Sequence, residues 1–263
     1  MLLGHPVQHS LSPVFQNAAL RHVGRDDAYE AIDVTPEALD ETLTMLGDEH
    51  AGGNVTVPYK EAVAAHAHCS LLAQRIGAVN TFWYEDGALI GHNTDVAGTI
   101  SALQQLCPDG IAGATCAVLG AGGSAASILI ALESLHVGPI RMATRSSSRA
   151  IALSLRVGVP VQMCGTPSEA AHGAELVINA TPIGLRDEEL PVHPSDLAPH
   201  ASVLDLVYRR GETAWVRACR AAGLNAADGL HMLLEQGAVS FECWFNTPAP
   251  RELMWDAVRR ALA

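Results

Sequence analysis

The sequence predicts an α/β fold in two parts: an N-terminal α/β part completed by two helices from the C-terminal end, and a doubly wound parallel sheet inserted between them. Three observations carry this expectation. Helix start and stop signals alternate with short strand-like pieces over residues 1 to about 95. From Ala114 onward, short apolar strands alternate with Ala-rich helical segments, the pattern of a parallel sheet covered on both faces. After Gly229 the chain reads as two helices, so the parts are assigned as residues 1–96 with 229–263, and residues 97–228.

Taken in order, a short first strand spans residues 1–3, Ser12-Pro13 opens a helix closed by Gly24, and Thr35-Pro36-Glu37 opens another closed by Gly47. Residues 79–85 and 88–90 flank Asp86-Gly87, which supplies the positive φ angles of a two-residue hairpin turn. The parallel sheet is expected from strands at 115–119, 140–143, 159–163, 175–179 and 203–206. The two closing helices run from about 230 to 245 and from 250 to the end.

Composition narrows the function classes. The 263 residues are 49% apolar and 17% charged without charge blocks, which excludes a disordered chain and leaves enough apolar surface for a core without disulfides or metals. A formal net charge of −12 argues against nucleic acid or an anionic membrane as partner, because both are bound by a surplus of Lys and Arg. Any positive charge that meets an anionic ligand must be local. Of the 16 basic residues only Lys60 is a lysine.

The six cysteines (69, 107, 116, 164, 219, 243) form no Cys-x-x-Cys pair and read as reduced thiols. There is no leader-like start and no apolar run near the roughly 18 residues of a membrane span, so a soluble cytoplasmic protein is expected. His66 and His68 are two apart on an expected helix and point to different faces; no metal site is expected. The four Trp are expected in the core.

The strand ending at Leu119 runs into Gly120-Ala121-Gly122-Gly123-Ser124-Ala125 and then an apolar helix. In this context Gly-x-Gly-x-x-Ala is the fingerprint of a Rossmann-type dinucleotide fold. The first glycine makes the tight turn, the second admits a pyrophosphate, and the small sixth residue lets helix and strand pack closely. The next strand ends at Thr144-Arg145-Ser146, without the acid that would hold a ribose 2′-hydroxyl. Arg145 and Arg149 suit a 2′-phosphate instead, which favours NADP; the alternative is that both are solvated surface charges.

Four polar clusters remain: His9-Ser10-Leu11-Ser12-Pro13, Asn54-Val55-Thr56-Val57-Pro58-Tyr59-Lys60, Ala78-Val79-Asn80-Thr81 and Asn93-Thr94-Asp95. With the Gly-Ala-Gly-Gly loop, Asn179-Ala180-Thr181, Asp205-Leu206-Val207-Tyr208 and Gly229-x-x-Met232-Leu233-x-x-Gln236, they follow in an order that resembles the shikimate dehydrogenase family over nearly the whole chain.

The resemblance implies reversible, NADP-linked reduction of 3-dehydroshikimate to shikimate on the way to chorismate and the aromatic amino acids. It implies Ser10, Ser12 and Tyr208 for the substrate carboxylate, and Thr56, Asn80, Asp95 and Gln236 for the ring hydroxyls. Lys60 and Asp95 are implied as the acid–base pair, so the oxidative direction is expected to gain rate as pH rises. On the cofactor side it implies the loop Gly120, Ala121, Gly122, Gly123 and Ser124, then Thr144, Arg145, Ser146 and Arg149, with Leu206 and Gly229 near the nicotinamide.

Simpler roles stand beside these. Ser12 can be a helix N-cap, Asp95 can cap the helix that begins there, and His9 can fix a local turn. The chain also departs from the family. Thr144 stands for a usual Asn, Phe15 and Gln16 stand where a His is frequent, and His231 occupies a position near the nicotinamide that is commonly smaller. A related dehydrogenase acting on quinate or aminoshikimate, and a non-catalytic NADP-binding regulator, are the rival functions. Both monomer and homodimer stay open.

Overall fold

The computed structural model describes residues 1–49 and 51–263. In chain order the elements are β1 (Leu2–Gly4), α1 (Ser12–His22), β2 (Ala31–Asp33), α2 (Leu39–Asp48), β3 (Gly53–Val55), α3 (Lys60–His66), β4 (His68–Cys69), α4 (Leu71–Ile76), β5 (Thr81–Glu85), β6 (Ala88–His92) and α5 (Asp95–Leu106). They continue as β7 (Cys116–Leu119), α6 (Ala125–Ser134), β8 (Ile140–Ala143), α7 (Ser147–Val157), β9 (Gln162–Cys164), α8 (Pro167–Ala171), β10 (Leu176–Asn179), β11 (Ser202–Asp205), α9 (Ala214–Ala221), β12 (Asn225–Ala227), α10 (Leu230–Phe245) and α11 (Arg251–Leu262). Two compact units result: residues 1–98 with 233–263, and residues 99–232, the divisions falling inside α5 and α10.

The first unit holds a mixed sheet in the order β2-β1-β3-β5-β6-β4, with β5 antiparallel to both β3 and β6. The hairpin stands where Asp86-Gly87 puts it, with φ of 50° and 77°. Its core gathers Leu3, Val55, Val63, Val79 and Phe82 beneath α2 and α3. The second unit is all parallel, ordered β12-β11-β10-β7-β8-β9, the doubly wound arrangement with a switch point between β7 and β10. All four β7 residues are buried, and α6 is buried from Ala125 to Leu132, as expected for strands covered on both faces. Trp215 lies at 0% exposure in this core. A fully buried side chain of that size removes about 150–250 Å² from water, worth about 4–6 kcal/mol at roughly 25 cal/mol per Å².

Several elements differ from the sequence expectation for identifiable reasons. Gly47 does not close its helix but lies inside α2, with the Tyr84 ring 3.0 Å from where a Cβ would stand, a tight contact that favours a residue without one. The strand expected at 159–163 begins at Gln162, beyond Pro160, which has no N–H for the ladder. Strands β2, β3 and β12 are three residues each, too short to show a period. His68 is in β4, paired with Ile90, and not on a helix with His66. Of the four Trp only Trp215 is fully buried; Trp83, Trp244 and Trp255 are partly exposed, and the Trp244 indole donates to the Phe82 carbonyl at 3.1 Å.

The six cysteines are free thiols, and among the described residues no helix is long and apolar enough to cross a membrane. Burial, with the Asp205 carboxylate nearby, pushes the Cys219 thiol up to about 12. The reactive thiolate therefore forms only at pH values well above neutral. Native protein treated with iodoacetamide at about pH 8 should leave Cys219 unmodified, and urea should expose it; peptide mass mapping of the two samples checks this.

Candidate active site

In the first unit Lys60 is the first residue of α3 and Asp95 the first residue of α5. The turn before α3 is closed by Tyr59 N–H donating to the Thr56 carbonyl at 3.0 Å, and the Tyr59 hydroxyl donates to the Val34 carbonyl. Lys60 Nζ then reaches Asp95 Oδ2 at 2.6 Å, with side chains only 13% and 7% exposed. At the start of α5, Asn93 Oδ1 accepts from Asp95 N–H at 3.0 Å, and the Asp95 carboxylate faces Lys60.

Asp95 Oδ1 accepts from Asn80 Nδ2 at 2.8 Å, and the same amide lies 3.1 Å from Gln236 Oε1 on α10. Asn80 Oδ1 accepts from Thr94 N–H at 2.8 Å. Lys60, Asn80, Asp95 and Gln236 are thus joined by hydrogen bonds, although Lys60 and Gln236 are far apart in sequence. Asn80 is only 2% exposed, and its side chain is engaged within the protein.

Ser10 and Ser12 form a pair of their own at the start of α1. Ser10 Oγ accepts from Ser12 N–H at 3.2 Å, while the N-cap position itself is Leu11 with no side-chain cap. Ser12 is therefore not the N-cap; it lies one residue inside, and the short polar side chain that meets the helix start is Ser10. Thr56 follows β3, donates its N–H to the Leu3 carbonyl at 2.8 Å, and sets its methyl against Gly4, where a Cβ would come within 2.4 Å. Among the described residues the Ser12 and Thr56 hydroxyls have no hydrogen-bond partner within the chain.

A further layer of buried polar side chains lies next to these residues and has no local sequence pattern of its own. Asn54, Thr81, Thr94 and Ser240 are all fully or nearly buried and hydrogen-bonded to one another, and the Tyr29 hydroxyl donates to Asn54 Oδ1 at 2.6 Å. Burial raises the Tyr29 pKa, so the phenol keeps its proton and its donor role. The nearest approach to such a pattern is Gln236 and Ser240, four residues apart on an otherwise apolar face of α10.

In the second unit the strand–loop–helix is built as its glycines require. Gly120 has φ of +103°, and a Cβ there would stand 2.9 Å from Thr181 Cγ2, so this glycine serves the fold. Gly122 and Gly123 have no such reason: a Cβ would meet nothing nearer than 3.8 Å at the first and nothing within 4 Å at the second. Ala121 is buried, Ala125 packs fully inside, and Ser124 stands at the N-cap of α6 without a side-chain cap bond. Ala125 N–H closes the turn on the Gly122 carbonyl at 3.1 Å, and a bare glycine loop running into a helix N-terminus fits a pyrophosphate.

Ser146 caps α7 by accepting from Arg149 N–H, and Thr144 Oγ1 accepts from Ser146 N–H at 3.4 Å. Arg145 is exposed and has no ion-pair partner among the described residues, whereas Arg209, Arg217, Arg220 and Arg251 each hold a carboxylate. That guanidinium fits a 2′-phosphate. Leu206 and Gly229 are brought into direct contact, since a Cβ on Gly229 would lie 2.2 Å from the Leu206 carbonyl oxygen. Asp205, 0% exposed, ties these loops together: it accepts from Asn179 Nδ2 at 2.8 Å, Val207 N–H at 3.1 Å and Thr213 Oγ1 at 2.8 Å. Burial pushes its carboxyl up, and those three donors oppose the shift. Tyr208 also belongs to this unit, and His231 Nε2 lies 2.9 Å from Ser101 Oγ. No group of three potential metal ligands occurs among the described residues.

Family models for the shikimate dehydrogenase substrate binding domain and the shikimate 5′-dehydrogenase C-terminal domain match residues 2–82 and 229–259. A Mesorhizobium japonicum protein named shikimate dehydrogenase (NADP(+)) is 42% identical over 248 residues, covering 92% of this chain and 89% of its own. The chain belongs to the shikimate dehydrogenase family. Solved family structures agree. The shikimate dehydrogenase of Aquifex aeolicus superposes with a TM-score of 0.92 at 32% identity, covering 98% of this chain and 96% of its own. The Thermus thermophilus enzyme in complex with NADP(H) and shikimate gives 0.89 at 38% identity, covering 99% and 98%.

The two kinds of glycine separate in a test. Gly120→Ala should lower stability by about 1–3 kcal/mol in urea unfolding, through strained backbone and overpacking. Gly123→Ala should keep wild-type stability and raise the Kd for NADPH, measured by fluorescence titration.

Proposed function

We propose that this chain catalyses the reversible NADP-dependent reduction of 3-dehydroshikimate to shikimate, a step towards chorismate and the aromatic amino acids, as a cytoplasmic enzyme acting on a small-molecule substrate. The observation that carries the reading is the Lys60–Asp95 contact at 2.6 Å, in the same unit as the Ser12 and Thr56 hydroxyls. Bound NADPH supplies the hydride.

The residues do the rest. Lys60, as an ammonium, hydrogen-bonds to the carbonyl oxygen, stabilises the negative charge that develops there, and delivers its proton. In oxidation the amine takes the proton from the same hydroxyl. The Asp95 carboxylate fixes the direction of the ammonium and accepts from a ring hydroxyl. Ser10, Ser12 and Tyr208 donate to the substrate carboxylate, while Thr56, Asn80 and Gln236 meet the ring hydroxyls. Arg145 and Arg149, with Thr144 and Ser146, hold the 2′-phosphate, and the backbone around Gly120, Ala121, Gly122, Gly123 and Ser124 holds the pyrophosphate. Leu206 and Gly229 form a close-packed surface for the nicotinamide. The acidic total does not oppose this, because Lys60, Arg145 and Arg149 supply positive charge locally.

Spectrophotometric assay with NADPH and 3-dehydroshikimate, then NADP or NAD with shikimate and quinate, tests the assignment; absence of turnover with all of them would overturn it. Lys60→Ala should lower kcat by about 10²–10⁴-fold, the range of positioned proton transfer, while NADPH still binds. Arg145→Ala should raise the KM for NADP and leave that for NAD unchanged; equal effects on both would remove its 2′-phosphate role.

A further inference from the structure

We infer that Ser240 is a positioning residue for the proton-transferring pair, acting on Asp95 and Lys60 through Thr94, Thr81 and Asn80. It rests on the reading of Lys60 and Asp95 given above. Ser240 lies on α10 one turn beyond Gln236, at 0% exposure, where an alanine would serve packing equally well. Its hydroxyl instead meets four polar partners. It accepts from Asn54 Nδ2 at 2.8 Å, lies 2.7 Å from Thr81 Oγ1 and 3.1 Å from Thr94 Oγ1, and donates towards the Gln236 carbonyl at 2.9 Å.

Those partners lead to the pair. Thr94 Oγ1 stands 2.9 Å from Asn80 Nδ2, and Thr81 Oγ1 lies 3.0 Å from Asn80 Oδ1. Asn80 Nδ2 donates to Asp95 Oδ1 at 2.8 Å, and Asp95 Oδ2 accepts from Lys60 Nζ at 2.6 Å. A primary amide has two protons, and this one has three acceptors within 3.1 Å: Thr94 Oγ1, Asp95 Oδ1 and Gln236 Oε1. Which of them it serves depends on how the hydroxyls beneath it are turned. Ser240 joins both hydroxyls and so biases the amide towards Asp95. In a buried network a hydroxyl removed cannot simply be replaced, and the remaining donors and acceptors re-pair.

Ser240→Ala should lower kcat for shikimate oxidation about tenfold, the effect of one lost hydrogen bond expressed at the transition state. The KM for NADP should be unchanged, and the rising limb of the kcat–pH profile should move. A merely structural serine would lower the melting temperature and leave kcat and the pH profile as in wild type, and that result overturns the inference. Thr94→Val and Thr94→Ser supply a second route if Ser240→Ala does not fold. The serine should restore most of the kcat that the isosteric valine loses, and equal kinetics in both would also overturn the inference. Lys60→Ala serves as the control. If it retains turnover, the reading of the pair fails; if it is inactive while Ser240→Ala behaves as wild type, only the role of Ser240 fails.

Discussion

An ammonium and a carboxylate 2.6 Å apart and nearly out of water are a constraint before they are a tool. Desolvating both ions costs several kcal/mol each, and their attraction offsets this only when further hydrogen bonds complete the carboxylate. Much of the first unit can be understood as meeting that condition. Asn80 reaches Asp95 because Thr94 N–H holds the far end of its side chain. Asn93 Oδ1 accepts from Asp95 N–H at the start of the same helix.

The second unit solves a related problem without a cation. Asp205 sits at 0% exposure at the end of β11, and its donors are an asparagine, a threonine and a backbone amide. Each donor belongs to a different stretch of chain, so one carboxylate sets the loop after β10, the segment after β11 and the start of α9 together. Asn179 passes the order on, since its Oδ1 accepts from Thr181 N–H at 3.0 Å, and Thr181 in turn crowds Gly120. The glycine turn is shaped by neighbours whose positions trace back to a buried acid.

How much of this could be seen in the sequence depends on how far apart the partners lie. The parallel sheet, the Asp86-Gly87 hairpin and the glycine loop depend on neighbouring residues, and their local patterns announce them. Lys60 and Asp95 were singled out by a family resemblance; periodicity gave no hint that residues 35 apart share a hydrogen bond. Ser240 was invisible for the same reason, its partners Thr81 and Thr94 lying 159 and 146 positions away. Residue type also fails to separate the hydroxyls. Ser12 and Thr56 are left unused while Thr94 and Ser240 are consumed inside, and only the packing tells them apart. Gly47 shows the converse: its local pattern reads as a helix end, but the residue lies within α2 with the Tyr84 ring close across from it.

The composition gives the chain one more property. With a single lysine among 263 residues, there is one ε-amino group, and it is the one held by Asp95. Lysine carrying its nitrogen label at Nζ alone introduces one reporter at that point and nowhere else. The resonance of Nζ can then be followed through ligand addition and titration without assignment, so the chain carries its own spectroscopic label at the amine that Asp95 holds.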